Sequence, residues 1–238
     1  VNKLSTPSVE RRSFLGGLSS RIAALGALGA GSAMAKGKAP VRWEPARHEK
    51  DDWLDKPAVK HRLVFDATTK DGFSEALAFA GNYLRVNQSD YGLQDSDVAV
   101  VIVARHRATQ FAYNNAMWAK YGASLAASGE SADAKAKEPP TVNVFNSAPA
   151  GGKPPSDEKA PDRGPQIDAL AKRGVQFAVC ALATRRLAGI IAKKLNAKAD
   201  DINSELVANL LGNNSVMVPA GIVGVSRAQE RGYTLVKA

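Results

Sequence analysis

Cysteine is almost missing from this sequence: one residue, Cys180, stands among 238. A single thiol closes no internal disulfide, so a disulfide-stapled scaffold is excluded, and Cys180 has to be buried, reactive or paired with another molecule. Histidine is scarce as well, and His48, His61 and His106 are dispersed. With one cysteine they make no metal-ligand spacing, so neither a metal nor another cofactor is expected. Aromatic residues make up only 6%, too few for a base-stacking platform. The net charge of +9 is scattered rather than gathered into a basic run, and no nucleic-acid partner is expected from it. Signature loops are missing too. No G-x-G-x-x-G follows the first strand pattern, where "DATTKDG" stands at 66–72, and "GGK" at 151–153 lacks the rest of a Walker A loop. "GVSRA" at 224–228 lies inside a helical pattern and not at a strand-to-helix turn, so Ser226 reads as a helix residue and not a nucleophile.

What is present begins with an N-terminal stretch that reads as a signal. Residues 1–35 have a basic start, a weakly apolar middle and an A-x-A ending, with Ala33 and Ala35 flanking Met34. Arg11 and Arg12, followed by Ser13, Phe14 and Leu15, resemble the twin-arginine export signal, with Glu10 and Arg21 as departures. The middle is too rich in Gly and Ala, and too broken by Arg21, for a permanent span, so no membrane span is expected after cleavage. Residues 36–60 are polar and proline-rich, with Trp43 and Trp53 as isolated apolar anchors; this reads as an arm over the domain surface.

From His61 onward, strand and helix patterns alternate. "HRLVFDATT" is β-rich and leads to Phe73, Leu77, Ala80 and Leu84 at helical spacing. "DVAVVIVARHR" is a continuous apolar strand of the kind buried on both faces. The spacing predicts a helix over 108–122 with Gly122 as its stop. Residues 126–165 are low in complexity and predict an exposed loop insertion. A short helix follows to Gly174, then a strand "VQFAVC", then a helix striped by Leu187, Ile190, Ile191 and Leu195. "DINSELVANLLGNN" opens with Asp201 as a cap, with Ile202, Leu206 and Leu210 on one face. "SVMVPA", a helix over 221–232 and "YTLVK" complete the pattern. Such alternation predicts an α/β fold: a Rossmann-like parallel sheet of about five strands with helices on both faces.

In such a sheet chemistry gathers beyond the carboxyl ends of the strands, where Cys180 falls. The first turn of the following helix directs N–H groups and a positive dipole end toward the sulfur, favouring thiolate. Thr184, Arg185 and Arg186 lie within about a turn and add hydrogen bonding and positive charge. Arg105 and His106 end the second strand; if that strand neighbours the third, His106 faces the same crevice as a proton donor or anion ligand. The plainer alternatives are Cys180 as a buried small hydrophobe and His106 as a surface residue. His48 and His61, flanked by charged residues, are expected in solvent.

The stretches "RHRATQFAYNNAMWAKYG", "LAKRGVQFAVCALATRRLAG" and "VMVPAGIVGVSRAQERGYTLVK" resemble the DsrE/DsrF-like sulfur-relay superfamily, and most closely its exported branch. The resemblance covers residues 61–238 less the 126–165 insertion. It implies homo-oligomers, trimers or dimers of trimers, and a cysteine that carries sulfane sulfur as a persulfide between a donor and an acceptor protein. Cys180 alone matches that position. The expectation is a periplasmic protein that binds or relays sulfane sulfur, a possible sulfurtransferase. The alternatives are a non-catalytic small-ligand or assembly module of the same fold, and a nucleotide binder at the sheet's switch point.

Overall fold

Seven consecutive residues, Val98–Ala104, are buried on both faces, which only the interior of a covered sheet allows. In the computed structural model, which describes residues 43–56, 58–130, 137–146 and 167–238, this segment is β2, near the middle of a five-stranded sheet. The strands are β1 (His61–Ala67), β2 (Val98–Ala104), β3 (Gln176–Cys180), β4 (Ser215–Val218) and β5 (Thr234–Lys237). They run in the order β4-β3-β2-β1-β5, and every pairing is parallel. The fold is therefore α/β and Rossmann-like, as the alternation predicts.

Among the described residues, six α-helices connect the strands: α1 (Lys70–Tyr91), α2 (Asn115–Ser128), α3 (Ile167–Lys172), α4 (Ala181–Leu195), α5 (Ala199–Ala208) and α6 (Gly221–Glu230). Side chains alternate across the sheet. Leu63, Phe65, Val100, Ile102 and Phe177 join a core with residues of α1 to α5. Val64, Val101, Val103, Ala178 and Val218 pack on the other face with Val225 and Ala228 of α6 and with Leu54 of the arm. Helix α1 starts where the Thr69 hydroxyl accepts from the Gly72 N–H and ends at Gly92 in the left-handed region, φ 65°.

Three local expectations need correction. The predicted helix over 108–122 is divided into a 3-10 segment, His106–Ala112, and α2. The break falls at Tyr113, which bridges to Leu210, and at Asn114, whose side chain caps α2 by accepting from the Met117 N–H at 3.2 Å. Gly122 stops nothing; it lies inside α2, where a Cβ would collide with the Pro140 carbonyl. Helix α5 starts after Lys198, so Asp201 is a first-turn residue complementing the dipole and not the cap. Of the stripe on α4, Leu187 and Ile191 are buried, but Ile190 and Leu195 are 36% and 57% exposed.

The low-complexity insertion is also less detached than its composition implies. Its described part folds back on the core: buried Asn143 donates to the carbonyls of Phe111 (2.8 Å) and Tyr113 (2.9 Å). The Phe145 ring sits edge-on to Phe111, 4.9 Å between centroids. Residues 131–136 and 147–166 lie outside the described residues, as do the signal residues Arg11, Arg12, Ala33 and Ala35.

The arm grips the sheet at a 3-10 segment, Glu49–Leu54. Leu54 is fully buried and Trp53 packs on the core, whereas Trp43 is exposed. The Tyr233 hydroxyl donates to the Leu54 carbonyl at 2.9 Å, and burial pushes that hydroxyl up to about 12. Between the usual tyrosine value near 10.0 and about 12, only the unfolded chain ionises there, so stability falls as pH rises through that window. Tyr233→Phe is expected to cost about 1 kcal/mol at neutral pH and to make this alkaline decline shallower, as urea titrations across the window would show.

Candidate functional site

Neighbouring strands β3 and β4 send their following helices to opposite faces of the sheet, α4 to one and α6 to the other. A crevice opens at the carboxyl edge wherever adjacent connections part in this way. Here it is a cleft of about 710 Å³, floored by Cys180 and the first turns of α4 and α6, and walled by the 3-10 segment after β2 and by α2.

Cys180 is both the last residue of β3 and the N-cap of α4. Its sulfur accepts from the Ala183 N–H at 3.4 Å. The residue is 6% exposed, yet it lines the cleft. Beneath it, Thr184 is fully buried. The Thr184 hydroxyl donates to the Cys180 carbonyl at 3.0 Å and accepts from the Tyr113 hydroxyl at 2.8 Å. Burial above all, with a smaller push from negative charge at Cys180, holds the Tyr113 hydroxyl well above the usual tyrosine range, so it stays a donor. The chain Tyr113–Thr184–Cys180 fixes the strand-to-helix turn that carries the sulfur.

Pairing of β2 with β3, Ala104 opposite Val179, brings Arg105 and His106 to the same edge, and both line the cleft. Arg105 is locked in a two-pronged ion pair with Asp66, at 2.6 and 2.7 Å. Its aliphatic stem lies against Gly221, where a Cβ would overlap it. The Asp66 hydrogen bonds hold the Arg105 proton more firmly than usual, and negative charge at Cys180 adds to the effect. His106 is exposed and sits at φ 55°, a left-handed conformation that a side chain makes costly and that recurs at functional sites.

The other sequence candidates divide. Arg186 lines the cleft, while Arg185, the next residue, is turned about 100° around the helix, is exposed and is not part of the lining. Thr184 supports the site from below and does not face it. His48 and His61 are exposed, and Ser226 sits on the exposed face of α6, bonded to Glu230. Several lining residues escaped the sequence reading: Gln110, Ser124, Gly221, Ile222 and Lys194. Lys194 had a signal, because Ala183, Arg186, Leu187, Ile190 and Lys194 recur at helical spacing from Cys180. Ser124 and Gly221 had none, since tertiary packing alone brings α2 and α6 to this edge. Among the described residues no cluster of acidic, histidine and cysteine side chains is placed to hold a metal ion.

Fold and cleft together define a Rossmann-like α/β protein with a cysteine-bearing, basic crevice at the carboxyl edge of a parallel sheet. No protein-family model matches the chain, and no curated protein does. Among solved structures, one of a protein of unknown function, MTH1491 from Methanobacterium thermoautotrophicum, is similar at 13% identity, over 75% of this chain and 100% of that one, with a TM-score of 0.35. So distant a likeness carries no argument about the site.

The Asp66–Arg105 pair gives the site a test of its own. Arg105→Ala strands a carboxylate that is 7% exposed and is expected to cost about 3 kcal/mol in chemical denaturation. Arg105→Lys, which keeps the charge but not the two-pronged fit, is expected to recover only part of that loss.

Proposed function

We propose that this protein is a sulfane-sulfur carrier of the DsrE-like type, with Cys180 as the atom that takes up sulfur. The observation that carries the reading is the sulfur's position: it accepts an N–H bond at the start of α4 and lines a cleft that also holds Arg105, His106 and Arg186. Helix N-termini and guanidinium groups attract anions, and the soluble carriers of sulfane sulfur, polysulfide and thiosulfate, are anionic. The Cys180 thiolate attacks a terminal sulfane sulfur, a new S–S bond forms and the donor's own S–S bond breaks. Thiosulfate thus leaves as sulfite, and polysulfide leaves one sulfur shorter; the electron pair of the broken bond departs with the leaving group, and the protein keeps a Cys180 persulfide. A second thiol, on a partner, then takes the outer sulfur by the same exchange. The reading includes export through the pair Arg11–Arg12 and function as a homo-oligomer in the periplasm, which follow from the sequence resemblance.

Intact-mass spectrometry after incubation with polysulfide or thiosulfate tests the chemistry. The expected result is a gain of whole sulfur atoms that is abolished in Cys180→Ser. No adduct on a thiol that resists alkylation until the protein is denatured would overturn the proposal and leave a cleft that merely binds anions.

His106 provides a finer probe. His106→Gly relieves the left-handed backbone, so stability is expected to hold or rise by about 1 kcal/mol, while the rate of sulfur uptake falls. Loss of both together would mean that the side chain only supports the fold.

A further inference from the structure

Inorganic sulfur anions use little of this cleft. A water molecule's share of liquid volume is about 30 Å³, so a polysulfide of a few atoms leaves most of the 710 Å³ unfilled. The remaining wall has a definite chemistry. Along α4 the lining runs Cys180, Ala183, Arg186, Leu187, Ile190, Lys194, which places Arg186 about 9 Å and Lys194 about 21 Å from the sulfur along the helix axis. Lysine side chains lean back toward the helix N-terminus, which shortens the second span. Arg105 is committed to Asp66 and Arg107 to Glu130, but among the described residues neither Arg186 nor Lys194 has an ion-pair partner. Between these two cations the surface is aliphatic.

The opposite wall adds an available hydrogen-bonding group. The Ser124 side chain lines the cleft with only 8% of the residue exposed, and its hydroxyl has no hydrogen-bond partner among the described residues. Its oxygen is open to the cleft and free to pair with a bound group. The first turn of α6, which also borders the cleft, has no side-chain cap. Among the described residues no Phe, Tyr or Trp lines the cleft, so it offers no broad ring for stacking a nucleobase.

We infer that the cleft takes an aliphatic thiol bearing carboxylates, about the size of a tripeptide, and that its persulfide is the sulfur donor to Cys180. Arg186 and Lys194 are about 12 Å apart along the helix axis, close to the span of an extended tripeptide, about 10 Å, and both side chains lean back toward Cys180, where the thiol of the ligand is directed. The inference rests on the sulfur-carrier reading and names its substrate class. Arg186 and Lys194 hold the carboxylates, Leu187 and Ile190 cover the aliphatic body, and the Ser124 hydroxyl pairs with an amide. In the transfer, the Cys180 thiolate attacks the outer sulfur of the neutral persulfide R–S–SH; the inner S–S bond breaks, R–S⁻ leaves, and Cys180 becomes Cys–S–SH. Charge and electrons balance without an oxidant.

Two measurements on the full-length protein separate this inference from the reading beneath it. Calorimetric titration with S-methylglutathione, which cannot transfer sulfur, reads binding alone. Saturable binding is expected, weakened about tenfold, or 1.4 kcal/mol, in Lys194→Glu and also weakened in Ser124→Ala. Initial rates of sulfur uptake from glutathione persulfide and from inorganic polysulfide, followed by mass, read the donor preference. The ratio of the two rates is expected to fall about tenfold in Lys194→Glu. Absence of S-methylglutathione binding, or a ratio unmoved by Lys194→Glu, overturns the inference even if polysulfide still loads Cys180. Binding that weakens as expected, with no sulfur uptake from either donor, supports the ligand class and overturns the carrier chemistry instead.

Discussion

Parallel pairing is the constraint on which the rest of this molecule depends. Because β1 to β5 all run the same way, every strand delivers its carboxyl end to one edge, and every return path has to cross a face of the sheet. The chain winds over one face from β1 to β4 and then turns back over the other through α6 to reach β5. At that reversal the connections after β3 and β4 part, and the crevice they leave is where Cys180 emerges. Among the described residues, the second face is covered by α6 and by the arm segment ending at Leu54, tied down by Tyr233.

Electrostatics in the cleft come in two kinds. Arg105 is fixed: it is clamped by Asp66 and laid over Gly221, so its charge arrives with its position already set. The backbone N–H of Ala183 is equally fixed. Such preorganised dipoles and charges need no reorganisation to face an anion. Arg186 and Lys194 are different: they have no ion-pair partner among the described residues and lie on an exposed helix face, suited to closing on a ligand as it arrives. The pattern is a rigid floor at the sulfur with adaptable cations further along α4.

Much of the architecture was legible because strand and helix patterns report burial directly. The run Val98–Ala104 has to lie inside a covered sheet, and alternation with helices then requires parallel pairing. The misreadings came where local pattern lost to a tertiary partner. Residues 108–122 carry helical spacing, but Tyr113 is held by Thr184 and by Leu210, and the helix has to restart at Asn115. Gly122 has the look of a terminator, yet it is small because the chain at Pro140 packs against it. Residues 141–145 have a loop-like composition, while Asn143 inserts two donors into the core.

What the sequence by itself determined is the frame and the thiol: the order of strands and helices, and the position of Cys180, Arg105 and His106 at strand ends, because side-chain periodicity and turn position are local properties of the chain. Only the tertiary structure decided which of two adjacent arginines faces the cleft, that Thr184 lies beneath the sulfur, and that Ser124, Gly221 and Lys194 share a wall with it. Those facts depend on how far each helix is rotated as it docks on the sheet, and packing against distant residues sets that rotation.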